Sequence, residues 1–128
     1  MLWDSIMTEF TKFEISAVSD DDEIAASGTQ GSIVLKIAGE LDIATSPRLE
    51  QELDKLLAAG EMNVVVDLEA VGFMDASGVG ALLSGADRAR EAGGAIQLLR
   101  PSPRVLRVLD ILQLNGALPV LGPGGTSD

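Results

Sequence analysis

Asp75, Ser77, Gly78 and Gly80, in the run MDASGVG, are the residues of this chain whose types and spacing could do chemistry. A hydroxyl close behind a carboxylate, where an apolar run gives way to a glycine-rich helix start, fits a serine nucleophile, a phosphate-binding loop or a phosphorylation site. The rest of the sequence removes the first two. No G-x-x-x-x-G-K-[ST] run exists, and GVGALLSG begins G-x-G but lacks the third glycine of a dinucleotide fingerprint. A serine elbow wants glycine two residues before the serine, where Asp75 stands, and the chain has no His to deprotonate Ser77. A bland reading stays beside phosphorylation. Ser77 can cap the helix by accepting hydrogen bonds from the amides of Val79 or Gly80, and Asp75 can cap the same turn. The glycines argue for more, since each costs roughly 1 kcal/mol of helix propensity relative to Ala. Their presence implies that something approaches the backbone there.

Composition narrows the classes further. The chain has 128 residues, enough for one domain with a buried core. It is 46% apolar but only 3% aromatic, so aliphatic side chains build that core, as suits a parallel sheet covered by helices. The absence of Cys and His excludes disulfides, thiol nucleophiles, Cys/His zinc sites and histidine bases. A net charge of −11 opposes binding to nucleic acid and anionic membranes; it favours a basic partner surface, or simply solubility. MLWDSIM has no basic stretch ahead of its apolar residues, and no apolar run approaches the roughly 20 residues of a spanning helix. A cytoplasmic location is the default expectation.

The elements that must position the MDASGVG turn follow from periodicity. Residues 1–9 are expected to be a flexible leader and 122–128 a flexible tail, around one domain at 10–121. Residues 10–18 alternate, with Phe13, Ile15 and Ala17 on one face of a strand. Asp20 to Gly31 form a polar loop, and Ser32–Gly39 a second strand in a hairpin with the first. A helix follows, with Ser46 as N-cap, Pro47 at its first position, Leu49, Leu53, Leu56 and Leu57 on one face, and Gly60 as its stop. Met62–Leu68 reads as a central parallel strand. The second helix begins near Ser77, buries Val79, Leu82, Leu83 and Ala86, and ends at Gly93-Gly94. Ala95–Leu99 is a strand. The third helix, capped by Ser102 ahead of Pro103, turns Val105, Leu109 and Leu112 inward and stops at Asn115-Gly116. ALPVL is a short strand that Pro119 confines to an edge. Right-handed β-α-β crossovers then give an α/β fold with a mixed sheet of four or five strands, helices packed mainly on one face.

With these elements in place, VVVDLEAVGFMDASGVGALL resembles the phosphorylation segment of the anti-sigma factor antagonists, the single-domain STAS proteins of bacterial partner-switching systems. GELDIATSPRL, residues 39–49, is similar to a second hallmark, the Gly-Glu-Leu-Asp turn before the first helix. The resemblance spans about residues 10–121. Ala76 replaces the first hydroxyl of the family's Asp-Ser-[Ser/Thr]-Gly pattern, and Ser77 takes the position of the phosphoacceptor, the second hydroxyl. A further helix usually follows the last strand in this family; with GPGGTSD in its place, that helix is expected to be missing or vestigial.

The resemblance implies a binding module and not an enzyme. Unphosphorylated, it would capture an anti-sigma factor that is also a serine kinase and so release the sigma factor. Phosphorylation of Ser77 would end capture, and a phosphatase would restore it. Asp42, Asp75, Gly78, Val79, Gly80 and Glu40 are the implied partner-binding residues. No cofactor or metal is expected; ATP and magnesium would belong to the kinase. The alternatives are a scaffold subunit of a stress-sensing complex and a small-ligand-binding STAS module.

Overall fold

The apolar run of Val64 to Leu68, buried on both faces, lies in the middle strand of a five-stranded sheet. The computed structural model describes residues 13–18, 33–114 and 116–121. Its elements are β1 (Glu14–Val18), β2 (Ile33–Leu41), α1 (Ser46–Ala58), β3 (Asn63–Met74), α2 (Ala76–Glu91), β4 (Ala95–Leu99), α3 (Pro103–Ile111) and β5 (Val120–Leu121). Strands stand in sequence order across the sheet. β1 is antiparallel to β2; every later neighbour is parallel, as helical crossovers require. The expectations for the leader, the polar loop, the tail, residues 10–12 and Asn115 lie outside the described residues.

Strand alternation sorts side chains between the two faces. Leu35, Ile37, Val64, Val66, Ile96 and Leu98 point to one side, where they meet Leu49 and Leu53 of α1, Val79, Leu82 and Ala86 of α2, and Val105 and Leu109 of α3. Among the described residues the opposite face holds a small cluster of Val34, Val65 and Leu99, with Leu121 against it. The helices thus share one face of the sheet.

Several boundaries differ from the sequence reading, each for a local reason. Ser46 does not cap α1. The carboxylate of Asp42 accepts from the amides of Ala44 and Thr45 one turn earlier, Thr45 occupies the cap position, and Ser46 is buried. β2 runs on through Gly39, which takes a φ of 114°, to Leu41. β3 continues six residues past Leu68. Leu112 points outward at 47% exposure, because α3 ends at Ile111 and Gln113 turns the chain with a φ of 57°. Leu114 packs against the core instead, its amide bonded back to the Leu109 carbonyl at 3.0 Å. Ser102 does cap α3, accepting from the Val105 amide at 3.2 Å.

Candidate functional site

Two turns meet at the carboxyl ends of β2 and β3, the edge where open parallel sheets commonly bind their ligands. The first follows Leu41. Asp42 folds it with its own side chain, Oδ1 accepting from the amides of Ala44 at 3.0 Å and Thr45 at 3.1 Å. The Thr45 hydroxyl donates to the Glu40 carbonyl at 2.6 Å and accepts from the Asp42 amide at 3.0 Å. Asx turns of this kind replace the backbone pairing that a strand loses at its end. The turn leaves Ile43 78% exposed.

The second turn follows Met74. Asp75, in an extended conformation, is the N-cap of α2: its Oδ1 accepts from the Ser77 amide at 2.8 Å and the Gly78 amide at 3.3 Å. Ser77 is therefore not the cap. It stands at the second position of the helix, half-buried, and among the described residues its hydroxyl makes no hydrogen bond. The join between the turns is a backbone bond from the Asp75 amide to the Leu41 carbonyl at 3.1 Å.

The two glycines differ in kind. Gly78 is buried, and a Cβ there would stand 2.8 Å from the Leu41 Cβ, 2.8 Å from the Met74 Cγ and 2.9 Å from the Leu41 carbonyl oxygen. What approaches Gly78 is this chain's own β2. Gly80 is exposed with nothing within 4 Å, so no neighbour in the fold requires it. Val79 is 4% exposed and belongs to the core. Glu40 is exposed, while Asp42 and Asp75 are half-buried and already bonded to backbone amides. Of the expected contact residues, Glu40 is exposed near the end of β2, Asp42, Asp75 and Gly80 reach the surface on the two turns and the first turn of α2, and Gly78 and Val79 are buried beneath them. α2 is braced from outside the site by Arg88, which pairs with Asp54 of α1 at 2.7 Å.

Ile43 and Phe73 are exposed apolar side chains at these two strand ends that the sequence reading did not single out. Phe73, opposite Glu40 in the ladder, is 39% exposed. Phe73 was hidden by a strand longer than its alternation implied. The signal for Ile43 was a lone branched aliphatic residue inside the polar turn DIATS, outside every helix or strand stripe. Among the described residues no carboxylate cluster could hold a metal ion, and no helix is long and apolar enough to cross a membrane.

The family model described as "Mlab, STAS domain" matches residues 24–122. The chain belongs to the STAS domain family. This STAS domain is 30% identical over 86 residues to an anti-sigma-B factor antagonist of Staphylococcus aureus, covering 67% of this chain and 80% of that protein. Its fold is similar to the unphosphorylated form of the anti-sigma factor antagonist SpoIIAA, with a TM-score of 0.64, 25% identity, and coverage of 84% of this chain and 86% of that one. The phosphorylated form of SpoIIAA from Bacillus has the same fold, with a TM-score of 0.60, 24% identity, and coverage of 84% and 89%.

Proposed function

We propose that this STAS domain is an anti-sigma factor antagonist switched by phosphorylation of Ser77. Unmodified, it binds a cytoplasmic anti-sigma factor that is also a serine kinase, and the sigma factor is set free. The kinase phosphorylates Ser77 and loses its grip; a separate phosphatase resets the protein. The domain itself performs no catalysis. Support comes from its relatives, whose names assign them to anti-sigma factors, and from a neighbour known in phosphorylated and unphosphorylated forms.

The observation that carries the reading is the Ser77 hydroxyl, unbonded among the described residues, at the start of α2 and beside the Asp42 turn. A phosphoryl group adds about −1.5 to −2 charges. The helix N-terminus favours that charge, so the fold survives. Asp75 already accepts from the Ser77 and Gly78 amides, however, so a phosphoryl group has to compete with that carboxylate for them. Glu40, Asp42 and Asp75 share its sign. A contact shaped around a small neutral hydroxyl and the exposed Ile43 then meets a hydrated dianion. A few kcal/mol suffices to end binding, since about 1.4 kcal/mol is tenfold in affinity.

Incubation with ATP, magnesium and the candidate kinase of the same host, read by intact mass, tests the proposal. One phosphoryl group on the unaltered protein and none on Ser77→Ala is the expected result. Modification elsewhere, or none, removes Ser77 as the switch.

A further inference from the structure

We infer that Asp67 and Arg100, on the helix-free face of the sheet, are positioning residues that fix the register at which β3 delivers Ser77. The inference rests on the switch reading only for its functional consequence. Its structural basis is the ladder between β2 and β3. Lys36 faces Asp67 and Ala38 faces Ala70, so β3 spends three steps where β2 spends two. Gly39 faces Val71 and Glu40 faces Phe73, so β3 spends two steps where β2 spends one. These are bulges, each adding a residue to β3. After them Met74 arrives level with Leu41, and the Asp75 amide reaches the Leu41 carbonyl.

A bulge leaves a ladder amide without its regular partner and bends the strand. At the first bulge Asp67 supplies the missing acceptor, its Oδ1 taking the Glu69 amide at 3.0 Å. Its Oδ2 accepts from Arg100 Nη2 at 2.7 Å, and Arg100 Nε lies 3.5 Å from Glu69. The Asp67 side chain is only 6% exposed, so the guanidinium is what makes a carboxylate tolerable there. Arg100 holds this place at the end of β4 with a φ of 53°, a conformation uncommon for any residue but glycine and one that persists where the surroundings hold it. Slipping the ladder by one residue would turn Val71 and Met74 out of the core and part the two turns.

Amide hydrogen exchange on the whole protein tests this without any partner. Asp67→Ala removes both contacts, Asp67→Asn keeps an acceptor for Glu69, and Arg100→Gly removes the guanidinium at a φ that glycine accepts. In Asp67→Ala, exchange at the Asp75, Ser77 and Gly78 amides is expected to rise at least about tenfold while Val64, Val65 and Val66 stay as in the parent. Arg100→Gly should show the same pattern, smaller, and it carries the test if Asp67→Ala does not fold; Asp67→Asn should fall between it and the parent. Uniform acceleration along β3, or none, overturns the inference. With the candidate kinase, the variants should raise KM for Ser77 phosphorylation more than they lower kcat. A localised exchange effect with no phosphorylation of the parent would sink the switch reading and leave the positioning role standing.

Discussion

Leu41 fills the space that a side chain on Gly78 would need. With Cβ contacts of 2.8 Å to its side chain and 2.9 Å to its carbonyl oxygen, this is a close approach of backbone to backbone that no rotamer change relieves. Gly78→Ala should therefore destabilise the domain by about 1–3 kcal/mol, the usual cost of overpacking a filled site. Urea unfolding measures it, and an unchanged midpoint would show that β2 gives way freely.

Gly80 should behave in the opposite sense. Nothing in the fold stands where its Cβ would go, so Gly80→Ala should stabilise α2 by up to about 1 kcal/mol. If the partner presses against the helix beside Ser77, the same methyl group should weaken binding. A variant that is more stable and binds as tightly as the parent would place the contact elsewhere.

Ile43 is 78% exposed on the turn that Asp42 and Thr45 close with hydrogen bonds, beside the proposed switch, and under that proposal it is a candidate contact. Replacement by Ser should leave thermal melting within error and lower affinity for the anti-sigma factor at least about tenfold, as truncating a central interface anchor does. Asp42→Ala should act less directly, by loosening the turn. Comparable affinity for the parent and Ile43→Ser would remove Ile43 from the interface.

Salt separates approach from contact. The net charge of −11 should speed association with a basic surface, and the on-rate should fall as the Debye length shrinks from about 10 Å at 0.1 M to about 3 Å at 1 M. The off-rate should change less. Stopped-flow association at several ionic strengths measures both, and a salt-independent on-rate would reduce the acidic surface to an aid to solubility.

Where periodicity was regular, the fold was legible. Leu49 and Leu53 in α1, Val79, Leu82 and Ala86 in α2, and the run Val64–Leu68 all lie where spacing put them. The second half of β3 was not legible, because its bulges leave Leu68, Val71 and Met74 inward at intervals of three, a spacing that no strand template matches. Ser46 looked like a cap because a Ser-Pro pair usually is one; the helix starts one residue earlier, with Thr45 at the cap position and the Arg48 and Leu49 amides bonded to the Thr45 carbonyl. At the site, Ser77 and Asp75 stood out by type and spacing. The distinction between Gly78 and Gly80 did not, since it depends on which of them lies over Leu41.

The central claim is that one phosphoryl group on Ser77 ends partner binding while the fold persists. Titration calorimetry of the purified anti-sigma factor against the unmodified and the enzymatically phosphorylated protein tests it most directly, with a melting curve for each form. The expected result is an affinity at least about a hundredfold lower for the phosphorylated protein, roughly 2.7 kcal/mol, at a melting temperature close to that of the unmodified form. Equal affinities, or a loss of binding matched by unfolding, would contradict it.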